Sequence, residues 1–215
     1  MVKNLSESKY ISRNIKDTFS LTDITVLDKI IEITSKKKVK CYLVGGAVRD
    51  IILGKTPKDL DFVVERKADI IAKELAIETN GEVLNNSEFG TSKLSIDKSI
   101  FDIANSRSET YAHPGALPDI TQNSIDKDLW RRDFSINSMA LALSPDEEWQ
   151  ILDPTDGLLD VAKGIIRILH DKSFVDDPTR IFRAVKYAVR FGFTIEEHTM
   201  NLIETCIKSN HINQI

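Results

Sequence analysis

A glycine pair and an acidic pair, set close together in one short stretch, frame the reading of this chain. Leu43-Val44-Gly45-Gly46-Ala47-Val48-Arg49-Asp50 is followed, across a turn marked by Gly54 and Pro57, by Asp59-Leu60-Asp61-Phe62-Val63-Val64. In an extended strand successive side chains alternate faces, so Asp59 and Asp61 point one way and Leu60 and Phe62 point into the opposite layer. Two carboxylates then share one small volume. Without a cation they repel and one pKa rises; a hard, oxygen-seeking ion such as Mg²⁺ removes the conflict. The glycines follow the β-like run Cys41-Tyr42-Leu43-Val44 and precede a helical pattern. Glycine tolerates positive φ and lets backbone N–H groups approach a phosphate at a helix start. Each half also has an ordinary reading, as a plain turn and as a solvated strand edge. Their fixed order suits a site that holds a triphosphate over metal ions.

The 215 residues are enough for one large or two small domains, and 41% apolar with 29% charged residues describes an ordinary globular chain. The formal net charge of −4 argues mildly against a strongly basic nucleic-acid surface on this stretch alone, which leaves either a local basic groove or a part beyond Ile215 for any such contact. Cys41 and Cys206 are too far apart in sequence to read as a metal motif or a disulfide framework, which suits a reducing cytoplasm. No run approaches the roughly 18 apolar residues of a membrane span, and the polar N-terminus lacks an apolar targeting segment. The expectation is a soluble cytoplasmic protein.

Residues 1–20 read as a polar arm. An amphipathic helix opens at Leu21-Thr22-Asp23, with Ile24, Leu27, Ile30 and Ile31 on one face, and runs to Lys36-Lys37-Lys38. That lysine run reads as a solvated helix end or a phosphate contact. A strand over Val39–Val44 follows. Beyond the acidic strand, Ala68–Ile77 is helical and is closed by Asn80-Gly81, and Glu82-Val83-Leu84 reads as a short strand. Lys93–Ile96 and Ile100–Ala104 flank Asp97-Lys98-Ser99 as a hairpin. Asp97 belongs to the turn, whereas Asp102 lies mid-strand between Phe101 and Ile103, where a charge needs a partner. Two-metal phosphoryl transfer commonly uses a third carboxylate, so Asp102 is the candidate, a solvent-facing strand residue being the alternative. Asn105–Asp128 is polar and broken by His113-Pro114-Gly115 and Leu117-Pro118, so no regular element is expected there.

Trp130-Arg131-Arg132-Asp133-Phe134-Ser135-Ile136-Asn137-Ser138-Met139-Ala140 reads as a helix with Asp133 and Asn137 four residues apart on one face. Arg132 carries paired N–H donors, and Asp133 and Asn137 an acceptor and a donor, with helix capping the other reading of Asp133. Leu152–Asp160 is a turn-rich connector and marks a domain boundary, and Ile165–Leu169 a last strand. Asp176-Asp177-Pro178-Thr179-Arg180-Ile181-Phe182-Arg183-Ala184 opens an amphipathic helix, with Arg180, Arg183 and Arg190 near one face and Ile181, Phe182, Val185 and Val189 expected on the core side. One more helix, Ile195–Lys208, follows. His170-Asp171 has no second ligand cluster to support a metal role.

The glycine and acidic blocks resemble the catalytic signature of the class II, bacterial-type tRNA nucleotidyltransferases and the related bacterial poly(A) polymerases. Arg131–Ala140 resembles that family's R-R-D-F-x-x-N-x-x-A motif, with Ser135-Ile136-Asn137-Ser138 departing mildly from its Thr-x-Asn-Ala, and Leu152–Asp160 resembles its D-P-x-x-G-x-x-D-L hinge. Asp177 and Arg180 match its acidic-Asp-x-x-Arg motif. The resemblance covers roughly residues 40–193 and implies an α+β fold: a polymerase-β-like nucleotidyltransferase head with a small mixed sheet over 21–155, then the start of a helical neck over 156–215. It implies that Asp59 and Asp61 hold two Mg²⁺ ions with Asp102 as third carboxylate, and that Gly45, Gly46 and Arg49 position a triphosphate. Arg132, Asp133 and Asn137 would support its phosphates and sugar. Asp177 and Arg180 would read the base, with Arg183 beside them; Asp177 as N-cap before Pro178 stays open at this point. The implied segment between hairpin and R-R-D motif is a mobile element tied to terminal A addition. The implied reaction is attack of a tRNA 3′-hydroxyl on the α-phosphate of ATP or CTP, with release of pyrophosphate. A poly(A) polymerase, a small-molecule nucleotidyltransferase and a non-catalytic nucleotide-binding module remain the alternatives.

Overall fold

The structure is a computed structural model and describes residues 19–87, 90–113, 115–143 and 149–209. The expected arm falls almost entirely, and Pro114 wholly, outside these residues. The first helix, α1 (Leu21–Lys36), opens on a reciprocal capping box: Ser20 accepts from the Asp23 backbone N–H and Asp23 accepts from that of Ser20. Val26, Leu27, Ile30 and Ile33 form its buried stripe. The lysine run at its end is spoken for in part, Lys36 by Glu32 and Lys37 by Glu74.

β1 (Cys41–Val44), α2 (Gly46–Ile52) and β2 (Leu60–Val64) follow, the last beginning one residue after Asp59. α3 (Ala68–Glu78) leads into β3 (Glu82–Asn86), then the hairpin β4 (Thr91–Ile96) and β5 (Ser99–Asn105). Asp97 and Lys98 both take positive φ, 48° and 68°, as a two-residue primed turn requires. With β8 (Ala140–Ala142) and β9 (Ile151–Leu152) these strands form one seven-stranded sheet in the order β3-β4-β5-β2-β1-β8-β9. It is mixed, because β2 and β5 run parallel while the other neighbours are antiparallel. Leu60, Phe62, Leu94, Ile96, Phe101 and Ile103 belong to the core shared with α1 and α3, which leaves the alternate residues Asp61, Lys93 and Asp102 on the other face.

Two sequence expectations fail here. The segment Asn105–Asp128 is not irregular: β6 (Arg107–Thr110) and β7 (Asp119–Gln122) pair as an antiparallel ribbon, and α4 (Ile125–Trp130) follows. Nor does Trp130–Ala140 form a helix. α4 stops at Trp130, Phe134 is extended, and only Ser135–Asn137 turns, as a single 3₁₀ element. The reason is burial: Phe134, Ser135, Ile136, Ser138 and Met139 are all fully enclosed, which a one-sided helix cannot achieve.

The chain continues through α5 (Gly157–Lys163), β10 (Ile165–Ile166), α6 (Ser173–Asp176), α7 (Arg180–Phe191), β11 (Thr194–Ile195) and α8 (Glu197–Lys208). β10 and β11 pair in parallel, so Ile195 is strand, and the last helix starts two residues later than expected. Asp153 caps α5 from outside, accepting from the N–H groups of Gly157 and Leu158 at 2.7 and 2.9 Å. At Gly157 a Cβ would lie 2.3 Å from the carbonyl oxygen of Ser135, so this turn is pressed directly onto the 3₁₀ element. In α7 the buried face is Arg180, Ile181 and Ala184, with Tyr187 and Ala188 half-buried against the core. Phe182, Val185 and Val189 are 61%, 52% and 80% exposed, which corrects the expected core side.

Candidate active site

A cleft of about 400 Å³ opens between the end of β1, the start of β2, the 3₁₀ turn and α7, and it is strongly polar. Among the residues lining it are Gly45, Gly46, Arg49, Asp59, Asp61, Arg132, Asp133, Asn137, Asp177, Arg180 and Arg183, which is every sequence candidate except Asp102. Asp102 sits just beyond: in the parallel β2/β5 register it lies directly opposite Asp61. Asp59, just before β2, and Asp61 and Asp102 on adjacent strands thus stand along one edge of the cleft.

Their electrostatics are strained. Asp61 opens to the cleft, yet the surrounding protein strips part of its hydration, and this together with the Asp102 carboxylate raises its pKa above the usual range. Asp102 places Oδ2 3.3 Å from Lys93 Nζ, while its Oδ1 is buried with no hydrogen-bond partner, the one such side-chain atom among the described residues. Buried carboxylate oxygens are ordinarily satisfied, so this one asks for a cation or a proton. Among the described residues no three His, Cys, Asp or Glu side chains stand close enough to hold a metal alone. Carboxylates spaced this way suit an ion that draws its other ligands from phosphate oxygens and water, as Mg²⁺ does.

Gly45 occupies the left-handed region at φ 67°, and a Cβ there would lie 2.9 Å from Nη1 of Arg132. The glycine is needed for its backbone angle and for the close approach of that guanidinium. Arg132 is aimed by Asp128, a fully buried carboxylate in α4 that the sequence reading passed over. Its Oδ2 accepts from Arg132 Nε and Nη2 at 3.2 and 2.8 Å, and its Oδ1 from Arg131 Nε and Nη2 at 2.9 and 2.8 Å. Burial alone would raise the Asp128 pKa, but Arg132 and Arg131 outweigh it and hold the carboxyl below the usual range. Helix spacing of i, i+3 and i+4 was the signal that could have found it. Arg131 also donates to Glu109 of the β6–β7 ribbon at 2.9 Å, and Tyr111 donates to the same carboxylate at 3.0 Å. Burial and Glu109 push the Tyr111 phenol up to about 12.

Asp133 and Asn137 stay together although no helix joins them. Asn137 Nδ2 donates to Asp133 Oδ1 at 3.1 Å, the Phe134 N–H donates to the same oxygen at 2.9 Å, and Arg183 pairs with Oδ2 at 2.8 Å. The Asp133 side chain therefore binds a local N–H without capping a helix. Arg49 is turned inward: it pairs with Asp50 at 2.8 Å, donates to Asn137 and packs 4.4 Å over the Phe191 ring. Asp177 accepts from the Thr179 N–H at 3.0 Å, so its Oδ1 braces the turn before α7, and Oδ2 lies 3.6 Å from Arg180 Nε. The Arg180 guanidinium is fixed by the Arg131 and Arg132 carbonyls and by Ser173. Lys58, Tyr187 and Arg190 also line the cleft; of these only Arg190 was placed by the sequence, near one helix face with Arg180 and Arg183.

A mixed sheet with carboxylates on adjacent parallel strands, facing a cleft with a glycine turn and fixed arginines, defines a polymerase-β-like head. The chain belongs to the poly(A) polymerase head-domain family, whose model matches residues 41–167. It is 40% identical over 201 residues to an A-adding tRNA nucleotidyltransferase of Halalkalibacterium halodurans, covering 91% of this chain and 47% of that protein. It is 38% identical over 149 residues to a CC-adding tRNA nucleotidyltransferase of Deinococcus radiodurans, covering 69% and 40%. Among solved structures, a Thermotoga maritima CCA-adding enzyme complexed with tRNA matches with a TM-score of 0.84 at 31% identity, over 96% of this chain and 47% of that one. The chain spans about half the length, or less, of the curated relatives it matches here. No helix among the described residues is long and apolar enough to cross a membrane.

Proposed function

We propose that this chain is the catalytic part of an enzyme that adds adenosine to the 3′ end of tRNA, by attack of the RNA 3′-hydroxyl on the α-phosphate of ATP with release of pyrophosphate. The observation that carries the reading is the parallel register of Asp61 with Asp102, with Asp59 at the head of the same strand. Asp59 and Asp61 are the residues that would hold Mg²⁺, and the orphaned Asp102 oxygen fits a third ligand or the acceptor of the hydroxyl proton. When bound, the ions would supply charge neutralisation at the phosphates and a more acidic attacking hydroxyl.

The chain's own groups do the rest. The Gly45–Gly46 turn lets phosphates come close to the backbone, and Arg132, aimed by Asp128, meets them with paired donors. Asp133 and Asn137 face the ribose hydroxyls, held there by Arg183 and by Arg49. Asp177 and Arg180 present an acceptor and donors to the base edge, Arg180 being fixed by backbone carbonyls so that its fork keeps one orientation. In this reading α7 is the first working helix of a neck that follows the head, and the two buried free cysteines suit a cytoplasmic setting.

ATP rather than CTP is favoured because relatives at 40%, 43% and 35% identity carry the A-adding name, whereas CC-adding relatives match at 38% and 33%. The test supplies Mg²⁺, labelled ATP or CTP, and one tRNA ending before CCA, after C or after CC. Addition of a single A to the CC-ending tRNA, lost in Asp61→Ala, is the expected result. Unlimited A runs would make it a poly(A) polymerase, nucleotide transfer without RNA a small-molecule enzyme, and ATP binding without product a nucleotide-binding module.

A further inference from the structure

We propose that Lys93 is the seat of the RNA strand that brings the attacking hydroxyl, its ammonium engaging the phosphodiester next to the primer's 3′ terminus. The inference rests on the RNA-extending reading given above and adds a residue and a direction of approach to it.

The geometry divides the site in two. The cleft with its glycine turn and arginines lies over β1, α2 and α7, and neither Asp102 nor Lys93 lines it. In the sheet order β5 and β4 lie outboard of β2, on the side away from β1. The three carboxylates therefore stand between the nucleotide cleft and the open face of β5 and β4. Phosphoryl transfer needs the attacking and leaving oxygens roughly in line, so a nucleotide held on one side requires its nucleophile to arrive from the other.

That open face carries a cation at the required place. Lys93 pairs with Asp102 across the β4/β5 register, and both project from the side of the sheet opposite the core. Ile100, two residues before Asp102 and 43% exposed, adds an apolar surface on the same face, and Asn85 of β3 stands across from Lys93. The arginines of the cleft are anchored on the nucleotide side, Arg49 by Asp50, Arg131 and Arg132 by Asp128, Arg183 by Asp133. Lys93 makes one 3.3 Å contact between side chains that are 49% and 35% exposed. Such a half-solvated pair contributes little, so transferring the ammonium from Asp102 to an RNA phosphate one sugar away costs little and leaves the carboxylate free for its reactive role. Lysine suits this use: a point charge on a flexible stem follows a phosphate without demanding fork geometry.

The test measures binding of a short single-stranded RNA ending in CC, 5′-labelled, to the full chain by fluorescence anisotropy in EDTA, across a salt series, with ATP binding measured in parallel. Lys93→Met is expected to weaken RNA binding roughly five- to tenfold and to flatten the log–log salt slope by about 0.7, the value of one phosphate contact on a single strand. ATP binding should be unchanged, Lys93→Arg should recover most of the loss, and in turnover the RNA KM should rise while the ATP KM holds. Wild-type RNA affinity and salt slope in Lys93→Met would overturn the assignment, as would an equal loss of ATP binding. If the unmutated chain neither binds nor extends RNA, the functional reading itself fails and Lys93 falls with it; indifference of Lys93→Met in a chain that does bind RNA removes Lys93 alone.

Discussion

Replacing Asp128 with asparagine isolates the residue that holds Arg131 and Arg132 at the cleft. Asp128 is fully buried and its two oxygens accept four guanidinium donors, two from Arg131 and two from Arg132, plus the Arg107 backbone N–H at 3.3 Å. Asparagine keeps one acceptor oxygen but turns an NH₂ group toward the other arginine, so one forked pair becomes donor against donor and both cations lose their counter-charge. Removing one member of a buried pair costs roughly 3–5 kcal/mol. The two arginine side chains are 18% and 17% exposed and regain some hydration, which places the change near the lower end, about 3 kcal/mol. For a chain of this length that corresponds to a fall in Tm of roughly 10 °C. The sign of the pH dependence follows from the direction of the shift. The folded-state pKa lies below the unfolded value of about 3.9, so the contribution is fully present above that value and is lost as pH falls through the lower folded pKa. Thermal unfolding followed by circular dichroism from pH 7 to pH 2 should show the deficit of Asp128→Asn at neutral pH shrinking at the acid end, where the wild-type carboxyl is protonated too. A Tm within 2 °C of wild type at pH 7, or a deficit that does not narrow in acid, would refute the argument that this carboxylate is charged and central.

Asp61→Asn should abolish nucleotide addition, a loss of about a thousandfold or more in kcat, yet raise the Tm at pH 7, because the carboxylate it removes has a raised pKa and is disfavoured by its surroundings and by Asp102. The gain should vanish as pH falls below the unfolded pKa of about 3.9, where both states carry the proton; scanning calorimetry at pH 7 and about pH 3 checks it. Gly157→Ala puts a methyl 2.3 Å from the Ser135 carbonyl and 2.9 Å from Met139 Cγ, and overpacking against backbone should cost about 2–3 kcal/mol in urea unfolding. In α7, Ile181→Ala should cost about 2–4 kcal/mol, whereas Val189→Ala, at an 80% exposed position, should fall within about 0.5 kcal/mol of wild type in the same assay.

What the sequence disclosed and what it hid divide along physical lines. The Gly45–Gly46 turn and the Asp59/Asp61 pair were legible because their constraints are local: a positive φ and a strand's alternation act over two or three residues. Asp102 was legible as a charge stranded mid-strand, although only the parallel β2/β5 register, a long-range fact, makes it the neighbour of Asp61. The R-R-D segment was misread as a helix because Asp133 and Asn137 have helical spacing, and the pairing itself survives in a 3₁₀ turn. The spacing reported a contact between side chains, and more than one backbone delivers that contact. The ribbon β6–β7 was hidden by its polar residues, since its order comes from paired strands and from Glu109 gripping Arg107 and Arg131, not from an apolar stripe.

The face of α7 shows the limit most sharply. Residues 181, 184 and 188 and residues 182, 185 and 189 are two stripes about 100° apart on one helix, both apolar enough to be buried, and periodicity cannot choose between them. The choice is made by Arg180, Arg183 and Tyr187, which must reach the backbone carbonyls of the R-R-D segment, Asp133 and the Phe134 ring. The polar groups of the site, not the apolar ones, set the rotation of this helix. The same contacts that leave Phe182, Val185 and Val189 facing outward are the ones that hold Arg180 and Arg183 at the cleft, so any substitution that let α7 roll its apolar stripe inward would withdraw both arginines together.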